Sequence, residues 1–101
     1  MLFYEVKGGA LWVRLTGDLD HSAATRLRGE LDALIAQTGA KRLLLDVSDV
    51  PFMDSSGIGL VIGRYKLMAR RGGSVAVVGS NERVDRIFNM AGLYSLVERR
   101  A

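Results

Sequence analysis

The 101-residue chain contains no cysteine and only one histidine, His21. Without cysteine there is no disulfide framework and no thiolate zinc site, a usage that suits a cytoplasmic protein. No uncharged apolar run, Gly57 to Gly63 being among the longest, approaches the ~20 residues that span a bilayer. Membrane insertion is therefore not expected. No basic stretch followed by an apolar block opens the chain, so a secretory signal is not expected either. Internal repeats, low-complexity tracts and linkers are absent. The net charge of +3 is partly gathered at Arg70-Arg71 and Arg99-Arg100. A nucleic-acid binder carries a denser basic stripe interleaved with aromatics, so direct nucleic-acid binding is not expected.

Several kinds of chemistry fall away on the same ground. A hydrolytic triad needs a nucleophile, a base and an orienting group. Here His21 is the only imidazole, and Ser55 lacks the Gly-x-Ser-x-Gly frame of a nucleophile elbow. Gly57, Gly59 and Gly63 are spaced Gly-x-Gly-x-x-x-Gly, not as a dinucleotide loop, and no phosphate-binding Gly-x-x-x-x-Gly-Lys motif occurs. Asp18, Asp20 and His21 are close in sequence, but turn and capping chemistry accounts for the aspartates without a metal. The reading is of a protein that is not an enzyme and holds no cofactor of its own.

What is present is a core. A hydrophobic share of 49% is ample for one domain over 1–101. Phe3 to Lys7 and Ala10 to Thr16 are strand-like runs joined by Gly8-Gly9, a two-residue hairpin signal. Asp20 or Ser22 caps a helix whose apolar stripe is Ala24, Leu27, Leu31, Leu34 and Ile35, stopped by Gly39. Arg42 to Val47 reads as a buried strand. A second helix is predicted from Ser56 to Arg71, with a stripe of Ile58, Val61, Ile62, Tyr65 and Ala69. Ser74 to Val78 is another strand. Asn81 caps a third helix carrying Val84, Ile87, Phe88 and Ala91, stopped by Gly92. A last short strand near Ser95 to Val97 is weakly signalled. The order ββαβαβα, with the weakly signalled last strand after it, implies parallel pairing with right-handed crossovers and an antiparallel hairpin at the edge.

Phe52-Met53-Asp54-Ser55-Ser56-Gly57-Ile58-Gly59 lies between the third strand and the second helix. Two readings of it compete on the residues alone. Ser and Asp at an N-cap accept hydrogen bonds from the first free helical amides, worth ~0.5–2 kcal/mol. A helix N-terminus also welcomes an anion, including a phosphate ester on a serine, and the glycines leave the hydroxyls unshielded. Leu60, Arg64 and Leu67 fall opposite the expected core stripe of this helix. They are either incidental surface residues or the extension of a contact surface around the serines.

Four blocks in this order resemble the STAS-domain anti-sigma-factor antagonists of bacteria. They are Leu15-Thr16-Gly17-Asp18-Leu19-Asp20-His21, the Phe52–Gly59 block, Gly63-Arg64-Tyr65-Lys66, and Arg86-Ile87-Phe88-Asn89-Met90-Ala91-Gly92-Leu93-Tyr94. The second and third are particularly similar to the sporulation branch of the family. The resemblance implies a small mixed α/β sheet, antiparallel only at its N-terminal edge, with three to four helices. It also implies partner switching. The unphosphorylated antagonist binds an anti-sigma factor that is itself a serine kinase, and the sigma factor is freed. The kinase then phosphorylates the antagonist, which dissociates until a serine phosphatase restores it. ATP or ADP sits on the kinase, and the free antagonist is expected to be monomeric and cytoplasmic.

In the family motif the first serine of the pair is the acceptor, which maps to Ser55. Asp20, His21, Asp54, Ser56, Gly57, Gly59, Leu60 and Arg64 then form the expected partner-binding set. The net positive charge, the early C-terminus and Asn89 in place of a common acidic residue depart from the pattern and bear on partner choice. The alternatives are a non-phosphorylated adaptor subunit of a membrane transport system and a component of a stress-signalling complex.

Overall fold

Alternation of apolar and polar residues in the second strand sets the architecture. In the computed structural model, which describes residues 1–101, strands β1 (Leu2–Lys7) and β2 (Ala10–Thr16) form an antiparallel hairpin. Gly8 and Gly9 turn it at φ +61° and +75°, the paired left-handed geometry that a tight hairpin requires. Helix α1 (His21–Thr38) carries the chain to β3 (Arg42–Asp49), and α2 (Ser55–Arg70) carries it to β4 (Ser74–Val78). Helix α3 (Glu82–Met90) and a 3₁₀ turn (Leu93–Ser95) lead to β5 (Glu98–Arg100). The sheet order is β1-β2-β3-β4-β5, parallel in every pair after the first.

One core holds the layers together. Leu11, Val13, Leu15, Leu43, Leu45, Val47, Val75 and Val77 meet residues of all three helices in a cluster of 25 buried side chains. The helices therefore cover one face of the sheet. On the other face Ala10, Leu44 and Ala76 form a small separate cluster flanked by Trp12 and Val78. Lys7 and Arg100 lie over the Trp12 ring, 5.3 and 5.8 Å from its centroid, so cationic side chains cover part of this face. Leu44 is thus buried although no helix covers it.

Most expected elements stand where the periodicity put them. The buried residues of α1 are Ala24, Leu27, Leu31, Leu34 and Ile35, and Gly39 closes the helix at φ +62°. Asn81 caps α3 by accepting the Val84 N–H at 2.8 Å. Three readings need correction. The last strand is Glu98–Arg100, because Ser95 is taken up by the 3₁₀ turn after Gly92. Ala91 lies beyond α3 and is exposed. On α2 the buried set is Gly57, Ile58, Leu60, Val61, Arg64 and Met68, while Ile62 and Tyr65 are half-buried and Ala69 is exposed. The helix is rotated because it packs against α1 as well as the sheet, so the side read as solvent-facing is a helix–helix seam.

A polar clasp fixes the C-terminal strand. The Ser80 and Tyr94 hydroxyls both donate to Asp85 Oδ1 at 2.5 Å, and Arg99 grips the same carboxylate through Nε and Nη2. The Arg99 hydrogen bonds, helped by the two hydroxyls and opposed by burial, hold the Asp85 carboxyl down at about 2.

Candidate functional site

Parallel neighbours must leave the sheet at the same edge, so the turns after β2 and β3 are brought side by side. They are also joined. Leu19 pairs with Met53 as an isolated parallel bridge. The Leu19 N–H donates to the Phe52 carbonyl at 3.0 Å, and the Asp54 N–H donates to the Leu19 carbonyl at 3.4 Å. Upstream, the Gly17 N–H donates to the Asp49 carbonyl at 3.1 Å. The two turns behave as a short extension of the β2–β3 ladder, and each delivers a helix N-terminus to the same end of the molecule.

Each N-terminus is capped by an aspartate. Asp20 Oδ1 accepts the Ala23 N–H at 2.9 Å, and Asp54 Oδ1 accepts the Ser56 N–H at 2.8 Å. Capping of α2 therefore falls to Asp54 rather than to either serine. Ser55 is the first helical residue and is exposed. Ser56, one residue on, is half-buried and turns toward α1, with its Oγ 3.5 Å from His21 Nδ1. The adjacent hydroxyls thus have different surroundings, one facing solvent and one facing a neighbouring helix.

Gly57 explains why the two turns come so close. A Cβ there would sit 2.3 Å from Met53 Cγ, 3.0 Å from the Leu19 carbonyl oxygen and 3.1 Å from Leu19 Cβ. Nothing larger than hydrogen fits between α2 and the Leu19–Met53 bridge. Gly59 is different: it is exposed, and a Cβ there would meet nothing within 4 Å.

Asp20, His21, Asp54, Ser55, Ser56 and Gly57 are therefore assembled at one end of the domain. The helical pattern placed Leu60 and Arg64 on the exposed side of α2 beside them, and the structure overturns this. They are only 5% and 6% exposed, in the α1–α2 seam, where Arg64 Nε lies 3.0 Å from Asp32 Oδ1. An arginine reads as a surface residue in sequence, but here an acidic partner on the adjacent helix draws it in. Leu67 is half-buried against the core.

Sequence reasoning missed a second feature of the site. An open groove of about 520 Å³ runs beside Ser55, lined by Phe52, Met53, Ile58, Ile87, Met90 and Ala91 together with Asp54. Phe52 is 40% exposed and Met90 83% exposed, so the groove carries large apolar side chains that the fold does not cover. Ile87 packs against the edge of the core while Met90, one turn on, is exposed, and the available signal was the apolar Met90 at the end of a helix whose core stripe was already complete.

Residues 3–100 match the family model of the STAS domain. The chain is 39% identical to the anti-sigma F factor antagonist of Paenibacillus polymyxa over 88% of its own length and 76% of that protein. Among solved structures, an anti-sigma factor antagonist of Thermotoga maritima superposes with a TM-score of 0.93 at 22% identity, covering 99% of this chain and 86% of that one. The phosphorylated form of the Bacillus cell fate determinant SpoIIAA superposes at 0.77 with 26% identity, covering 100% and 92%.

Proposed function

The chain belongs to the STAS domain family, and from that premise we propose that it is an anti-sigma-factor antagonist working by partner switching. Unphosphorylated, it binds an anti-sigma factor with serine kinase activity, which carries the ATP or ADP, and the sigma factor is released. Phosphorylation of Ser55 by that kinase ends the complex, and a serine phosphatase resets the switch in the cytoplasm. The chain contributes no catalytic group and acts as a monomer.

One observation carries the reading: an exposed, uncapping Ser55 hydroxyl at the N-terminus of α2, bordered by an uncovered apolar groove. Each part has a role in the switch. Phe52 and Met90 supply the apolar contact area that anchors a partner. Ser55 at the rim of that area controls whether the partner stays. A phosphate adds about −1.5 to −2 charges and three acceptor oxygens. The dipole of α2 stabilises that charge within the fold, whereas a partner surface matched to a hydroxyl meets an unmatched dianion. A loss of ~3 kcal/mol at such a position weakens binding more than a hundredfold. A transport adaptor would need no acceptor hydroxyl, so the intact Asp54-Ser55-Ser56 disfavours that alternative.

Two measurements test the proposal. Phosphopeptide mapping after incubation with the cognate kinase and ATP should place the label on Ser55, and label confined to Ser56 or Ser22 defeats the assignment. Calorimetry against the ADP-loaded anti-sigma factor should find tight binding for Ser55→Ala and binding more than a hundredfold weaker for Ser55→Asp. Equal affinities would reduce Ser55 to an ordinary helix-start residue.

A further inference from the structure

The chain has four methionines and no cysteine, so a peroxide-type oxidant finds thioethers here and no thiolate to intercept it. The fold treats the four sulfurs unequally. Met53 and Met68 are fully buried in the core. Met1 is 67% exposed at the chain start, where its amino group donates to the Thr16 carbonyl. Met90 is 83% exposed, more than any other large apolar side chain. Oxidation of a thioether needs the oxidant to reach sulfur, so Met90 and Met1 are open to it while Met53 and Met68 are shielded.

Position gives Met90 a consequence that Met1 lacks. Met90 is the last residue of α3 and lines the apolar groove beside Ser55, together with Phe52, Ile58 and Ile87. Met1 stands outside that lining. The fold does not rely on Met90, because α3 is seated by Val84 and Phe88, its two buried residues. Asp54 and Ser55 are the only polar side chains of the groove, and the carboxylate cannot donate a hydrogen bond. A side chain that turned polar at Met90 would therefore find the Ser55 hydroxyl as the one donor among its lining neighbours.

We infer that Met90 is a peroxide-sensitive modification site, and that its oxidation to methionine sulfoxide weakens docking at the groove without any change at Ser55. A lone pair on sulfur attacks one oxygen of hydrogen peroxide, the O–O bond breaks and an S–O bond forms. The second oxygen leaves as water, so sulfur gives up the electron pair that the peroxide takes. The product is a polar, chiral side chain whose oxygen accepts hydrogen bonds. Covered by an apolar partner surface, that oxygen is buried without a donor, a state that opposes binding. Sulfoxide reductases reverse the step, which makes the site a second, reversible input to the same surface. The reactivity of Met90 follows from the free fold, whereas the consequence for binding rests on the antagonist reading.

The experiment treats the free protein with limiting hydrogen peroxide and maps methionine sulfoxide by peptide mass spectrometry. Calorimetry then measures affinity for the ADP-loaded anti-sigma factor. The expected map has sulfoxide at Met90 and Met1, with Met53 and Met68 unmodified and the melting temperature unchanged. Oxidised protein should bind about tenfold more weakly, and sulfoxide reductases of both stereochemical classes with dithiothreitol should restore the affinity. Met90→Leu keeps the apolar surface and leaves Met1 in place, so the same treatment should not alter its affinity. The inference is overturned if Met53 or Met68 reacts as readily as Met90, if the oxidised chain loses its native fold, or if oxidised wild type binds like untreated protein. An equal loss of affinity in oxidised Met90→Leu overturns it too. Untreated protein that fails to bind at all removes the antagonist reading and the binding consequence with it, while the map of the free protein still decides which sulfur reacts.

Discussion

Replacing Gly57 by alanine sets two effects of opposite sign against each other. In an unpacked helix the change would stabilise by up to ~1 kcal/mol, because glycine loses more backbone entropy on folding than alanine. At Gly57 the new Cβ would fall 2.3 Å from Met53 Cγ and 3.0 Å from the Leu19 carbonyl oxygen. Met53 is fully buried, and its Cγ is a mid-chain atom that cannot swing aside. Overpacking of this kind costs ~1–3 kcal/mol, and relief requires the Leu19–Met53 bridge to part. The overpacking term wins. Gly57→Ala should destabilise by about 1–2 kcal/mol, a drop in melting temperature of roughly 4–16 °C at ~4–8 °C per kcal/mol for a domain of this size. Gly59→Ala, two residues away with open space, is the control and should raise the melting temperature by a few degrees. Differential scanning calorimetry on both variants tests the argument. A Gly57→Ala protein as stable as wild type would refute the steric account of the junction.

The Asp85 carboxyl, held at about 2, contributes stability that is present above the unfolded-state pKa near 4 and lost as pH falls through the folded value. Asp85→Asn should therefore flatten the fall in stability between about pH 4 and 2 in acid titrations followed by circular dichroism, and an unchanged slope would exclude this clasp as its source. Asp32→Asn leaves Arg64 buried without its counter-charge, and its cost should lie between the ~0–1 kcal/mol of surface pairs and the ~3–5 kcal/mol of buried ones, read from denaturant midpoints. Phe52→Ser and Met90→Ser, at exposed positions, should each weaken anti-sigma-factor binding about tenfold in calorimetry without lowering the melting temperature appreciably. Phosphorylation at Ser55 should change amide shifts only in Asp18–Ser22 and Asp54–Gly59. Shifts spreading into β3 and β4 would indicate a conformational rather than an electrostatic switch.

The parts of the fold that could be read in the sequence were those with one narrow apolar stripe or a local turn signal. Helix α1 gathers its buried residues in one such stripe, so helical spacing named them although α2 packs beside it. The β1–β2 hairpin was legible because Gly8-Gly9 is a local signal with a local cause. Helix α2 was misread because it has two partners, the sheet and α1, and a broad apolar arc does not say which side faces which. Arg64 compounded the error, since the aspartate that accepts it is 32 residues away in sequence. At the site, the caps and the exposed hydroxyl followed from residue types at a helix start. The apolar groove did not, because its lining comes from both the Phe52–Ile58 segment and the end of α3, brought together only by the fold.

The bridge between Leu19 and Met53 has a kinetic consequence. Because it ties both turns to the sheet, the surface around Ser55 exists before any partner arrives, and association need not wait for a loop to order. Encounter is then governed by diffusion and orientation, which one phosphate at the rim alters little beyond its charge. On the proposed switch the modification instead removes contacts from an already formed complex and shortens its lifetime. A switch built this way changes how long the partner stays rather than how fast it comes, so stopped-flow measurements should find the effect of Ser55→Asp chiefly in the dissociation rate.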